Sequence, residues 1–363
     1  MKIALITIVN GASFGNRLQN YATQSVFQKL GYEIETINNT FEKNSDIKVY
    51  LQKIIGIAFS IIPQLRYKSQ NWNRGFTFRK WDKCYISYSK AKLDASNYKE
   101  DVLGLNDIYN YFVVGSDQIW NPQFSSNSGF ELLSFVPSQK RVSLSTSIGT
   151  ETLPEQYLEM YKTELSKFKA ISVREEKAAE LVRSFVDIKV AVHIDPTLMV
   201  TKEEWKAFEK KPKKPITKEY ILCFFLTNPD EGTKEIIQKF AYNKNLATLY
   251  LNRNMPGFEK ISPNEFIYLV SHAKMVVTDS FHCTVFSLIF GVPLAVLDRF
   301  DADHVNSRLM TLLSSVSQEQ FWLGRLNNME CMERNYKLAG YDIEPIIADK
   351  REQALKYIKT VCS

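Results

Sequence analysis

At 363 residues the chain exceeds what one ordinary hydrophobic core spans, so two domains are expected. Its 45% hydrophobic and 24% charged residues are those of a soluble globular enzyme, and the dispersed excess of six positive charges suits anionic small molecules or an anionic membrane surface. No basic helix, zinc signature or RNA-binding signature is present, which argues against nucleic acid as a partner.

The run Met1 to Ile8 reads as a first strand; it is too short for a signal peptide and leads into Gly11 and Gly15 instead of a cleavage site. A helix is expected from about Arg17 to Leu30, stopped by Gly31, with Tyr32–Ile37 as the second strand. This βαβ opening predicts a mostly parallel sheet. The apolar segment Ile54–Ile62 falls short of the ~20 residues of a membrane span. It reads as a buried helix, with an interfacial helix facing a lipid-linked acceptor as the alternative. Further strands are expected at Tyr111–Val114, feeding Gly115-Ser116-Asp117, at Ala170–Val173, feeding Arg174-Glu175-Glu176, and at Val190–Ile194, ending in Asp195-Pro196.

The lysine- and proline-rich stretch 210–215 looks like a linker, after which Tyr220–Leu226 starts a second α/β unit. Its most informative part is Lys274–Leu297. Met275–Val277 reads as a buried strand, Asp279 or Ser280 as the cap of the following helix, Gly291 as its stop and Leu294–Leu297 as the next strand. His282, one of four histidines, falls in the first turn, where free N–H groups and the helix dipole favour an anion. Asp349–Glu352 resembles a capping box before a last amphipathic helix. The expected organisation is an α/β chain of two Rossmann-like domains, 1–209 and 216–345, in a GT-B-like arrangement, with a C-terminal helix at 346–363 whose return to the first domain is an option of that arrangement. Five scattered cysteines without a CxxC pair fit a reducing cytosol, hence a cytoplasmic protein; the interfacial reading of Ile54–Ile62 would set it at the inner membrane face.

The motifs Phe14-Gly15-Asn16-Arg17-Leu18-Gln19, Val114-Gly115-Ser116-Asp117-Gln118, Ser172-Val173-Arg174-Glu175, His193-Ile194-Asp195-Pro196 and Thr278-Asp279-Ser280-Phe281-His282 together resemble the polysaccharide pyruvyl transferase family. Asn306-Ser307-Arg308-Leu309 adds a sixth match. The resemblance implies transfer of a pyruvyl group from phosphoenolpyruvate, as co-substrate and with no cofactor, onto a hexose of a cell-surface polysaccharide precursor, closing a pyruvate ketal, with 1–209 as the acceptor side and 216–345 as the donor side. The acceptor would be lipid- or nucleotide-linked. A GT-B glycosyltransferase with a nucleotide-sugar donor, or a non-catalytic glycan-assembly component, is the alternative. Ser280 stands where many relatives carry Arg, and Cys283 where relatives of the Ser-Phe-His form continue with Gly, so Arg308 or Arg17 is expected to hold the phosphate.

That chemistry needs a proton donor to the methylene carbon, a base for the hydroxyls and cations for the donor. His282, expected to be partly exposed, is the candidate for proton transfer, against a reading as a structural helix-end histidine. Asp117 is expected to orient a sugar hydroxyl or act as base, with helix capping as the rival. Asp195 reads as a turn former. Arg17 and Arg174 begin helices, where a positive charge opposes the dipole unless a bound anion offsets it. Asn16 and Gln19 are expected to read sugar hydroxyls, and Ser280 and Arg308 to bind substrate. Asp301-Ala302-Asp303 is a weak DxD metal signal, and no metal is expected; no Walker loop, serine elbow, HExxH or dinucleotide fingerprint occurs.

Overall fold

The computed structural model describes all residues except 10–12, 41–65, 95–97, 99–101, 103, 124–127, 151, 252–259 and 300–305. The apolar segment 54–62, the Gly11 turn and the Asp301–His304 stretch therefore lie outside the described residues. The chain divides into two units, one of Met1–Asn44, Asp82–Val200 and Ala348–Ser363, the other of Ser45–Trp81 and Thr201–Ile347.

The first unit is built on β1 (Lys2–Ile6), β2 (Glu33–Thr40), β3 (Tyr88–Asp94), β4 (Tyr111–Val114) and β5 (Arg141–Ser143), all parallel in the order β3-β2-β1-β4-β5. Ile3, Ala4, Leu5 and Ile6 are all fully buried, so this central strand is apolar on both faces, as a parallel strand covered on both sides must be. Beyond β5 a parallel pair, β6 (Ile171–Val173) and β7 (Val190–Val192), continues the layer through bridges Val142 to Ala170 and Thr146 to Val173. Trp120, Phe112, Phe130 and Tyr161 fill the core against these strands.

The second unit carries β8 (Tyr220–Phe224), β9 (Ala247–Tyr250), β10 (Met275–Thr278), β11 (Leu294–Leu297) and β12 (Trp322–Gly324), parallel in the order β12-β11-β10-β8-β9. Helix Lys202–Phe208 groups with this unit, not with the domain ending at 209 that the linker suggested. The reason is Trp205, fully buried and edge-on to Phe286 at 5.0 Å.

Helix boundaries shift where capping decides them. The first helix runs Phe14–Lys29, three residues earlier than its apolar face suggests, because the Ser13 side chain accepts from Asn16 N–H. The last helix spans Glu344–Val361, with Asp342 receiving the Glu344 N–H, so the capping-box residues 349–352 lie inside it.

Candidate functional site

Open parallel sheets bind ligands outside the carboxyl ends of the strands where the order reverses. In the first unit that point lies between β1 and β4. Gln19 closes it: its amide donates to Thr7 Oγ1 at 2.7 Å and to the Asn16 carbonyl, while its oxygen accepts Ser116 N–H at 3.2 Å. Gln19 is fully buried and both donors are committed, so it ties two strand ends together instead of facing a sugar as expected. Asn16 is half-buried in the first helical turn beside it.

Gly115 adopts φ 140°, and a side chain there would run into the Leu144 carbonyl oxygen. Asp117 follows at φ 65°, a left-handed conformation that aspartate tolerates better than most residues. Its carbonyl takes Ser147 N–H and its carboxylate takes Gln118 N–H at 2.9 Å, leaving it 8% exposed. No helix starts there, so capping is not its role.

Behind Asp117 lies a buried ionic network. Arg174 Nη1 donates to Asp195 Oδ2 at 2.8 Å and its Nε to Glu175 Oε1 at 3.2 Å. Burial opposes the Arg174 charge, but Glu175, Asp195 and Asp117 outweigh it and hold the guanidinium above its ordinary pKa. Asp195 does more than form a turn. Its Oδ1 caps the short helix Pro196–Met199 through Thr197, and its Oδ2 also receives Ser116 Oγ at 2.9 Å. Glu175 accepts from Ser147 Oγ at 2.7 Å and stands at the N-cap of helix Glu176–Arg183. Arg174 thus precedes that helix, and its charge is met by the protein's own carboxylates, not by the outside anion the sequence suggested.

Arg17 behaves the same way. Its Nε and Nη2 donate to the two oxygens of Asp82, each at 3.2 Å, in a pair that is more than nine-tenths buried. An anion site expected from helix position alone is filled by a carboxylate 65 residues away.

In the second unit the order reverses between β8 and β10. Asp279, expected as a helix cap, turns back across this point: it accepts Leu226 N–H at 2.7 Å, and Thr227 N–H and Oγ1 at 3.0 and 2.7 Å. Ser280 takes the N-cap position of helix Phe281–Phe290, but its side chain makes no capping bond. His282 lies in the first turn, 8% exposed and so more buried than expected, with its ring edge-on to Phe281 at 5.3 Å. Burial pushes the Cys283 thiol up to about 12, which makes it a packing residue. Arg308, in the first turn of helix Asn306–Ser315, is 7% exposed. Asp82, Ser147 and Thr227 carry much of this geometry yet are invisible as site residues in the sequence, because their partners are distant along the chain; Glu175 pairs with its neighbour Arg174 but also with the distant Ser147. The Glu at an N-cap was the one available signal.

Thus Asn16, Gln19, Asp117 and Arg174 gather at one sheet edge of the first unit, while Ser280, His282 and Arg308 belong to the second. Among the described residues no cluster of metal-ligating side chains occurs, and no helix is long and apolar enough to cross a membrane.

Two parallel sheets, each with helices and a reversal point, define a GT-B-type α/β fold, and solved structures agree. The chain is similar to UDP-GlcNAc 2-epimerase from Neisseria meningitidis, bound to UDP-GlcNAc (11% identity, TM-score 0.52, covering 99% of this chain and 100% of that one). It is also similar to UDP-GlcNAc 2-epimerase from Methanocaldococcus jannaschii (12%, 0.50, 99% and 100%) and to an alpha-glucosyltransferase in complex with UDP and DNA (10%, 0.50, 99% and 94%). These likenesses establish the fold. No curated protein matches the sequence. Residues 14–301 match the family model of polysaccharide pyruvyl transferase, and the chain belongs to that family.

Proposed function

We propose that this pyruvyl transferase takes its pyruvyl group from phosphoenolpyruvate and sets it as a ketal on two hydroxyls of a hexose. The hexose belongs to a lipid- or nucleotide-linked precursor of a cell-surface polysaccharide. The observation that carries the reading is the chemical contrast between the two reversal points. One gathers Asp117 with the Arg174 network, in which three carboxylates face one guanidinium. The other offers a serine and a histidine at a helix N-terminus. Carboxylates accept from sugar hydroxyls, whereas helix N–H groups suit an anionic donor.

The proton balance assigns the roles. The donor's methylene carbon gains a proton, for which His282 is the acid. Two carbon–oxygen bonds form from the central carbon to the sugar oxygens, and its bond to the phosphate oxygen breaks. Of the two hydroxyl protons released, Asp117 takes one as base and gives it up to solvent, from which His282 regains the proton it spent; the other leaves with phosphate. No cofactor enters this chemistry. Cytoplasmic placement at the membrane face follows from a lipid-linked acceptor and the net charge of +6, and binding to anionic vesicles that falls with added salt would support it.

The test is incubation with phosphoenolpyruvate and a panel of lipid-linked and nucleotide-linked hexoses, read by mass and phosphate release. Ketal-bearing product with stoichiometric phosphate is expected. Thermal stabilisation by UDP- or GDP-sugars but not by phosphoenolpyruvate would overturn the donor assignment.

A further inference from the structure

Gln19 is committed inside the fold, but its neighbour Asn20 is not. A chain of hydrogen bonds fixes which way the Asn20 carboxamide faces. Ser87 N–H donates to Gln24 Oε1 at 3.0 Å, so Gln24 Nε2 is turned to the Ser87 carbonyl and to Thr36 Oγ1, at 2.9 and 2.7 Å. Thr36 Oγ1 then gives its own proton to Asn20 Oδ1 at 2.7 Å. Asn20 Nδ2 is left outside that bond. Its two hydrogens have no partner among the described residues, although Asn20 is only 2% exposed. An amide donor held out of bulk water without a hydrogen bond is costly, and a polar ligand removes the cost.

Two further amides lie toward the carboxyl edge of the sheet. β1 and β2 are parallel and joined through the first helix, which therefore runs antiparallel to both. One turn back along the helix from Asn20 stands Asn16, and two residues on from Thr36 stands Asn38, on the same face of β2. The register shift beside Thr36 and Asn38 puts its extra residues on β3, so the alternation of β2 is kept. Both steps advance about 6 Å toward the carboxyl edge. Asn16 and Asn38 are half-buried, and each is held by its backbone, Asn16 N–H on Ser13 Oγ and Asn38 N–H on Ser89 Oγ, both at 3.4 Å. Neither side chain has a partner among the described residues. Uncharged carboxamides carry donors and acceptors together, which matches hydroxyls, themselves both donor and acceptor, better than it matches an anion.

We propose that Asn16, Asn20 and Asn38 form a site for the hydroxyls of a neutral sugar, the acceptor of the transfer reaction, with Asn20 at its base and Asn38 as a specificity-determining residue. That the sugar is the acceptor rests on the pyruvyl-transfer reading above; that a sugar binds does not.

Methyl glycosides of glucose, galactose, mannose and N-acetylglucosamine would be titrated by saturation-transfer NMR against the full chain and against Asn16→Ala, Asn20→Ala and Asn38→Ala. At least one glycoside should bind, and each variant should weaken it by about two- to tenfold, the loss of one neutral hydrogen bond. Asn16→Ala and Asn38→Ala remove side chains that no bond among the described residues uses, so both should fold. Asn20→Ala also strips Thr36 of its acceptor, and the two flanking variants decide the outcome if it does not fold. Unchanged affinity in both flanking variants would overturn the proposal, as would the absence of saturation transfer from every glycoside to the unaltered chain. Weakened glycoside binding in a protein that forms no ketal from phosphoenolpyruvate would leave the sugar site standing while the pyruvyl-transfer reading falls. Where turnover is found, KM for the acceptor should rise in Asn38→Ala with KM for phosphoenolpyruvate unchanged; equal changes in both would count against a sugar contact.

Discussion

At the scale of single residues the chemistry turns on His282. If it delivers the proton to the methylene carbon, His282→Gln should lower turnover by roughly two to four orders of magnitude, because the amide hydrogen-bonds but does not titrate near neutrality. Gln is the better replacement than Ala, since the site is 8% exposed and truncation would leave a cavity. Phosphoenolpyruvate binding should weaken less than turnover, and near-normal turnover would reduce His282 to a positioning role. A second histidine reports on stability. His193 Nδ1 lies 2.8 Å from Ser172 Oγ, its ring packs on Tyr357 at 4.7 Å, and burial lowers its pKa to about 4. The unfolded chain takes up this proton near pH 6.5, well before the folded one does. The contribution is therefore present above pH 6.5 and is lost as pH falls from about 6.5 to about 4. Urea midpoints followed across that window should decline less steeply in His193→Gln than in the unaltered protein.

At the scale of elements, each unit holds its reversal point shut with one polar side chain, Gln19 in the first and Asp279 in the second. Gln19 reaches from the first helix to Ser116 beyond β4, and Asp279 reaches from the end of β10 to Leu226 and Thr227 beyond β8, so they fix the chain beside Asp117 and just before the His282 helix. Gln19→Leu keeps the volume roughly constant but leaves Thr7 Oγ1 and Ser116 N–H without this partner. It should cost about 1–3 kcal/mol in denaturant unfolding and lower turnover through displacement of Asp117. Loss of stability with unchanged turnover would show that the clamp serves the fold alone. The first helix was legible from its apolar face, whereas its true start at Phe14 depends on a Ser13 bond that periodicity does not register. That shift places Asn16 and Arg17 within the first turn.

At the scale of the whole chain, the first unit is assembled from three separated segments, the last being Ala348–Ser363. Tyr357 Oη donates to the Ser143 carbonyl, Lys169 to the Val361 carbonyl and Tyr111 Oη to the Ser363 carbonyl. Ala354 and Ile358 are buried along the same helix, and Cys362 just past its end. Ending the chain after Ile347 removes these contacts and exposes the apolar surface they cover. The truncated protein should bind the dye ANS and be cut within the first unit by low protease concentrations that leave the full chain intact; equal resistance would mean the helix is dispensable.

The sequence by itself determined the strand–loop–helix units, the parallel sheets and the family, because buried strands, helix stops and contiguous motifs are local patterns. Tertiary structure alone decided what the charged residues do. Arg17 meets Asp82 across 65 positions, Arg174 meets Asp195 across 21, and Asp279 meets Thr227 across 52. Helix position correctly marked the two arginines as charges in need of a counter-ion, but it could not say whether that ion came from a substrate or from the chain. The choice rests on which carboxylate the folded backbone brings within hydrogen-bond reach once water is excluded, and burial makes such a pairing strongly favoured over an uncompensated charge.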